Sequence, residues 1–305
     1  MAAPLRTPAP GVPYADILKQ GGDAQAQGAI RALMGAMTGI VAYMVFTPLV
    51  TYLVLLVSWV VSGSPGDFDT YAADGRAMEF PAGVVADHLG LAMLIPIAFG
   101  LVAGLHRVQP RWLNSVQPGF RWRYGVACLL IAAVVLNAGL LIARGFTIGP
   151  LNPQGDVAWF MVAIVLTAPL QAAAEEYFFR GYLLQALTAV VRNQWVGVVV
   201  TAAVFALFHG TQNLPLFCYR FGFGLLAGAL VILTGGLEAG IAAHVVNNLC
   251  SFSYAALGGS VAATMAVTDI SWTDAGTALA SFTAFGAWAW LAGRAMRVAT
   301  RTPPA

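Results

Sequence analysis

Residues 158 to 184 read AWFMVAIVLTAPLQAAAEEYFFRGYLL, an apolar run long enough to cross a membrane that carries two adjacent carboxylates. A charged side chain at the centre of a bilayer costs roughly 2.5 to 3.5 kcal/mol on insertion scales. Ionisable residues at that depth usually face the interior of a helix bundle and mark a function. Glu175 and Glu176 are therefore the first candidates for a functional site.

The composition is that of a membrane protein. Of the 305 residues, 59% are hydrophobic and 9% are charged, and the mean hydropathy is +0.76. Soluble domains carry about 25% charged residues, so this chain cannot cover a water-facing surface. The net charge of +2 offers no basic patch for a nucleic acid. We therefore predict an all-α fold, a polytopic membrane helical bundle whose surroundings are the lipid bilayer.

About eight apolar segments are predicted to be membrane helices, because about 20 apolar residues cross the hydrocarbon core. The fifth and sixth are short, which favours tilted or cavity-lining helices. The segments are residues 30–61, 84–105, 125–142, 158–184, 196–209, 221–233, 239–256 and 278–292.

The distribution of arginine and lysine predicts the orientation, since short loops rich in these residues stay in the cytosol. With eight crossings and both termini inside, most basic residues fall on the cytosolic side, while the opposite loops hold most of the acidic residues. The sequence thus predicts a multi-pass integral membrane protein with N-in and C-in topology, in a bacterial cytoplasmic membrane.

The glutamate pair has an arginine one helical turn away. Glu176 and Arg180 are i,i+4 neighbours, so they can pair along one face of a helix. Glu175 points about 100° away from Glu176 on an α-helix. The spacing therefore predicts a structural role for Glu176 and Arg180, and leaves Glu175 free to face a cavity.

Further polar residues lie in later apolar segments. Phe205 stands one turn before His209, and His244 stands one turn before Asn248, so each pair shares a helix face. A site built from these residues would assemble between helices. Glu175 and His209 could hold and deprotonate a water molecule, and His244 and Asn248 could donate hydrogen bonds to a developing oxyanion. This chemistry is the attack of water on an amide.

The three motifs, Glu-Glu-x-x-x-Arg, Phe-x-x-x-His and His-x-x-x-Asn in this order, resemble those of the CAAX protease and bacteriocin-processing (CPBP or Abi) family. That family includes the type II CAAX prenyl endopeptidases and lysostaphin-resistance-protein-A-like proteins. The resemblance implies a glutamate-dependent membrane endopeptidase with an active site open toward the cytosol. It also implies that Glu175 is the general base, assisted by His209, and that His244 and Asn248 stabilise the oxyanion. The implied partners are peptide or protein substrates, including membrane-associated or lipidated ones.

The chain is predicted to have four sections, and the resemblance covers the third of them. We predict a flexible cytosolic tail in residues 1–28, three membrane helices in 29–150, a CPBP-type catalytic membrane domain in 151–257, and a last membrane helix with a basic tail in 258–305.

Two alternatives stay open. Two histidines and a glutamate match a zinc site in residue type, although the chain has no His-Glu-x-x-His motif and we expect no cofactor. The same polar cluster would also suit a non-proteolytic scaffold of the immunity type, or an ion or proton pathway.

Overall fold

The computed structural model describes residues 4–19, 24–147 and 149–304. These residues form helices and connections and contain no β-strand, which confirms the all-α prediction. The α-helices are α1 Gln25–Val61, α2 Phe68–Arg76, α3 Pro81–Ala92, α4 Leu94–Gly100, α5 Trp122–Ala143, α6 Val157–Glu175, α7 Leu184–Val191, α8 Gln194–Leu207, α9 Leu214–Thr234, α10 Glu238–Gly258, α11 Val261–Met265 and α12 Trp272–Ala295.

The chain is a multi-pass integral membrane protein. Each apolar segment predicted from the sequence coincides with a helix. Five helical runs in the described residues are long and apolar enough to cross a membrane, and α8 is a shorter apolar helix. The five runs are Gln25–Val61, Pro81–Leu105, Trp122–Ala143, Val157–Val191 and Leu214–Thr234. The total of eight crossings stays a prediction.

Helix α1 shows how the bundle meets the lipid. Its outer face carries large apolar side chains such as Met44 and Val57, which are 65% and 63% exposed. Its inner face is made of small buried residues, among them Gly35 and Gly39. Small residues let helix backbones approach closely where no hydrophobic effect drives them together. Here they admit the side chains of the segment that follows Glu175, since a Cβ at position 39 would lie 3.1 Å from the Phe178 ring.

One helical run carries the glutamates to the middle of the bundle. Helix α6, a π-helical segment over Glu176–Leu183 and helix α7 continue one another over 35 residues. At 1.5 Å per residue this run is about 52 Å long, well beyond the roughly 30 Å hydrocarbon core. Glu175 is the nineteenth residue of the run and therefore lies near its centre. The chain then reverses at Arg192, where φ is 58°, and the 14-residue α8 returns to the same level.

Both described ends of the chain meet on one side of the bundle, together with the connection that precedes α5. The Thr302 amide donates to the Val12 carbonyl, and the Arg121 guanidinium donates to the Ala299 carbonyl. We call this side the terminal face. An even number of membrane crossings, as predicted from the sequence, would place both ends on one side; the number of crossings stays a prediction. The assignment of the terminal face to the cytosol is likewise a prediction.

The N-terminal residues differ from the flexible tail that the sequence predicted. Residues 20–23 lie outside the described part of the chain, but residues 4–19 are packed against the terminal face. Tyr14, Ile17 and Leu18 are 1 to 2% exposed, and the Tyr14 hydroxyl donates to the Leu113 carbonyl at 2.5 Å. The short helical turn Tyr14–Asp16 and the residues after it place these apolar side chains on the bundle, and their burial replaces the expected tail.

Candidate active site

Four of the predicted site residues, Glu175, Glu176, Arg180 and His244, form one buried cluster, and Phe205 of α8 packs against it. Asn248 on α10 is half-buried, and His209, just after α8, is exposed. Glu175 ends α6, Glu176 and Arg180 lie in the π-helical segment, and His244 projects from α10. Glu176 is 0% exposed and Arg180 1%, whereas Glu175 keeps 7% exposure. Of the two carboxylates, Glu175 is therefore the one with some access to a cavity or to water.

His244 bridges the two glutamates. Its Nε2 lies 3.2 Å from Oε2 of Glu175, and its Nδ1 lies 2.9 Å from Oε1 of Glu176. A neutral imidazole has one N–H, so two contacts to carboxylates fit the doubly protonated imidazolium. With Arg180, the set then holds two negative and two positive charges and is neutral as a whole. Such balance is what allows charges to be buried, because unpaired buried ions are strongly destabilising.

Both glutamates reach the same histidine although the backbone at Glu175 and Glu176 is α-helical, with φ of −64° and ψ of −41° and −42°. Their side chains were predicted to diverge by about 100°. A π-helical segment begins at Glu176, where hydrogen bonds run to the fifth residue. Glu175, which was predicted to face a cavity, has His244 as a direct contact. Single π-turns inside α-helices occur frequently at functional sites.

The predicted pair of Glu176 and Arg180 is confirmed. Nη1 of Arg180 lies 3.0 Å from Oε1 of Glu176. The guanidinium carbon lies 4.0 Å above the ring of Phe205 and 5.3 Å from that of Phe223, an arrangement in which aromatic faces attract the cation. Phe205 is therefore part of the support for the arginine, which fits the supporting role predicted for it.

His209 is an exposed residue just after α8, next to Phe205. Its Nδ1 donates to the Phe205 carbonyl at 2.8 Å, one turn back in the chain. Because a carbonyl only accepts, the proton is on Nδ1 and Nε2 carries the lone pair of a neutral ring. The rings of His209 and Phe205 lie 4.6 Å apart, and Phe205 lies 6.1 Å from His244.

Asn248 contacts the cluster through a residue that the sequence analysis missed. Its Nδ2 donates to Oε1 of Gln171 at 2.8 Å, and Nε2 of Gln171 donates to Oε2 of Glu175 at 2.9 Å. Gln171 is 5% exposed. The sequence contained one feature that could have identified Gln171. It stands one helical turn before Glu175, inside an apolar run where a glutamine needs a hydrogen-bond partner.

The predicted oxyanion donors are engaged elsewhere in this arrangement. Both ring nitrogens of His244 contact carboxylates, so its donation to an oxyanion would require one of those contacts to break. Asn248 uses one amide hydrogen on Gln171 and keeps a second. Of the two, Asn248 is the better placed donor.

The zinc alternative requires several ligand side chains to lie around one point. Within residues 4–19, 24–147 and 149–304, no three His, Cys, Asp or Glu side chains are grouped as metal ligands would be. Donor atoms that would bind zinc are instead paired with one another in the contacts of His244.

Comparison with known proteins agrees with the resemblance carried by the motifs. Residues 155–250 match the family Rce1-like, described as type II CAAX prenyl endopeptidase Rce1-like, and this segment contains every predicted site residue. The uncharacterized protein YyaK of Bacillus subtilis (strain 168) is 32% identical over 139 residues, which cover 41% of this chain and 44% of that protein. The chain thus matches less than half the length of this relative. No solved structure matches the chain significantly.

Proposed function

We propose that the chain is a membrane endopeptidase with Glu175 as its general base, on the premise that residues 155–250 match the Rce1-like family of type II CAAX prenyl endopeptidases. The observation that supports this assignment best is the pattern of contacts at Glu175. Its Oε2 receives a hydrogen bond from Gln171 and lies 3.2 Å from Nε2 of His244, whereas Oε1 accepts no hydrogen bond from the described residues. Oε1 is therefore left for a water molecule.

The proposed reaction begins with a water molecule held between Oε1 of Glu175 and Nε2 of His209. Glu175 takes a proton from this water, and the oxygen attacks the carbonyl carbon of the substrate peptide bond. The remaining amide hydrogen of Asn248 stabilises the oxyanion of the tetrahedral intermediate. The proton then passes from Glu175 to the departing amide nitrogen as the C–N bond breaks. The products are a carboxylic acid and an amine, which become a carboxylate and an ammonium group when the acid's proton moves to the amine.

Glu176 and Arg180 support this chemistry without touching the substrate. Glu176 holds Nδ1 of His244, so Nε2 of the same ring is directed at Glu175. Removing a supporting hydrogen bond of this kind typically lowers activity 10- to 100-fold in metal sites built on the same principle. The positive charge of the ring also favours the ionised form of its carboxylate neighbour.

The proposed substrates are peptides or proteins within or attached to the membrane, including lipidated ones, because the base lies inside a helix bundle that crosses the bilayer. We propose that the site opens toward the cytosol and that the enzyme resides in a bacterial cytoplasmic membrane. Nucleic acids are not expected partners. No cofactor is needed for the proposed steps, so cleavage should persist in a metal chelator, and its loss with restoration by zinc would favour the zinc alternative.

The decisive experiment replaces Glu175 by glutamine, which keeps the size of the side chain and removes the base. Purified wild-type and Glu175→Gln proteins in lipid nanodiscs would be incubated with a library of membrane-anchored peptides, with and without a prenyl group. Mass spectrometry would identify the cleavage products. We expect a loss of at least about 100-fold in cleavage rate, the lower range for general base catalysis.

Glu79→Gln is the matched control, because Glu79 is an exposed glutamate outside the cluster. It should cleave like the wild type. Cleavage by Glu175→Gln at the wild-type rate would refute Glu175 as the base. A folded wild-type protein that cleaves no member of the library would favour the scaffold or ion-pathway alternatives.

A further inference from the structure

We infer that Gln171 is a positioning residue for Glu175, and that it turns Oε1 of the carboxylate toward the attacking water. This inference rests on the proposed function of Glu175 as base. Nothing in the motifs or in the family comparison assigns a role to Gln171, which precedes the Glu-Glu-x-x-x-Arg motif.

The first step of the argument is a chain of three amide side chains that ends on Glu175. Nδ2 of Asn247 donates to Oδ1 of Asn248 at 3.0 Å, Asn248 donates to Oε1 of Gln171 at 2.8 Å, and Gln171 donates to Oε2 of Glu175 at 2.9 Å. Each amide in this chain gives a hydrogen to the next group. The three side chains therefore act as one connected network across α6 and α10.

The direction of the chain is fixed at its end. An ionised carboxylate only accepts hydrogen bonds, so the NH2 group of Gln171 must face Glu175. The carbonyl of Gln171 then faces Asn248, which must offer its own NH2 group. The same reasoning fixes the orientation of Asn247, whose NH2 group faces the carbonyl of Asn248. The orientation of all three amides is thus a consequence of the charge on Glu175. Conversely, the amides favour that charge, because hydrogen bonds to an ionised group stabilise it.

The second step is that the backbone alone does not orient the Glu175 carboxylate. A glutamate has three rotatable side-chain bonds, and its last torsion is broad and roughly two-fold. Two donors converge on one oxygen, Nε2 of Gln171 at 2.9 Å and Nε2 of His244 at 3.2 Å. Together they distinguish Oε2 from Oε1, and the second oxygen is left for water.

The third step is burial. Gln171 and Glu175 are 5% and 7% exposed, so water cannot readily replace a lost hydrogen bond at Oε2. His244 alone would then hold the carboxylate, and rotation about its last bond would move Oε1 away from the water that it is proposed to deprotonate. A displacement of about 1 Å at a reacting atom lowers the rate about 100-fold.

The test uses two substitutions at position 171, assayed in nanodiscs with the peptide on which the wild type acts. Gln171→Leu removes the donor and keeps the volume, and we expect kcat to fall about 10- to 100-fold with little change in KM. Gln171→Glu can donate to Glu175 only when it is protonated. Its kcat should therefore be closest to the wild-type value at low pH and fall as pH rises, a profile that neither the wild type nor Gln171→Leu would share.

Gln185→Leu is the matched control, since Gln185 is a second buried glutamine on the same helical run. An equal loss of kcat in this variant would mean that the effect arises from packing, and would overturn the inference. Wild-type kcat and pH profile in Gln171→Leu, with Glu175→Gln inactive, would overturn it while the proposed function stands. Cleavage retained by Glu175→Gln would overturn both. If Gln171→Leu fails to fold, the pH profile of Gln171→Glu decides.

Discussion

Arg180 shows how a guanidinium is kept at the centre of a membrane bundle. It is 1% exposed, pairs with Glu176 at 3.0 Å and lies against the faces of two phenylalanines. Its environment is thus partly ionic and partly aromatic. Because Glu176 also holds His244, the arginine affects the position of the histidine through this carboxylate. Substitution of Arg180 should therefore lower the stability of the protein directly, and lower the cleavage rate only through the displacement of His244.

Arg180→Met should lower the free energy of unfolding by about 3 to 5 kcal/mol, because it leaves a buried carboxylate short of one positive partner. The double variant with Glu176→Gln should recover part of this loss, since it removes the uncompensated charge. Urea unfolding of the purified proteins in mild detergent, monitored by tryptophan fluorescence, measures the unfolding free energies of both variants. Equal stability of the single and double variants would show that the pair does not act as a unit.

At the scale of helices, the sequence predicted the positions of the helices better than the backbone geometry within them. Apolar runs of membrane length identify helices because a bilayer leaves the backbone few other ways to satisfy its hydrogen bonds. The pairing of Glu176 with Arg180 followed from local spacing. The π-helical segment did not, since its widened turn depends on packing against other helices. The bridge made by His244 and the contact of Asn248 with Gln171 join distant positions of the chain, which spacing cannot relate.

Close approach of α10 to the π-helical segment depends on Gly240, one turn before His244. A Cβ at this position would lie 2.9 Å from Oε2 of Glu176, a separation that requires the carboxylate to move. Gly240→Ala should therefore displace Glu176 from His244 and lower the cleavage rate about 10- to 100-fold, in the range of other supporting contacts. The unfolding midpoint should fall as well, because overpacking a close contact costs about 1 to 3 kcal/mol.

Gly258→Ala provides the control on the same helix. A Cβ there would meet no atom within 4 Å, so this substitution should leave cleavage unchanged. It should also keep or slightly raise stability, as alanine favours helix over glycine by about 1 kcal/mol. A loss of activity in both variants would attribute the effect to the flexibility of α10 and not to the contact with Glu176.

At the scale of the whole molecule, the terminal face is held by one ion pair. Arg121, at the start of α5, donates to both carboxylate oxygens of Glu238 at 2.8 and 2.6 Å. Its remaining nitrogen donates to the carbonyls of Thr234 and Ala299 at 2.8 and 3.0 Å. This one side chain therefore joins α5, the end of α9, the start of α10 and the segment after α12. The arginines of the terminal face thus include at least one whose role is structural, besides any contribution to orientation in the membrane.

Glu238→Gln should weaken this junction, because it leaves the 9%-exposed Arg121 side chain without its counter-charge. We expect a loss of about 3 to 5 kcal/mol in unfolding free energy, the usual result of breaking a buried pair. Glu238 lies six residues, nearly two turns, before His244 on α10, and both of its carboxylate oxygens bind Arg121, so the folded variant should keep its kcat. Thermal unfolding and cleavage assays in nanodiscs would separate the two effects, with Arg123→Gln as an exposed control next to the junction. A fall in kcat at temperatures where the variant is folded would instead mean that the terminal face and the glutamate cluster are mechanically coupled through α10.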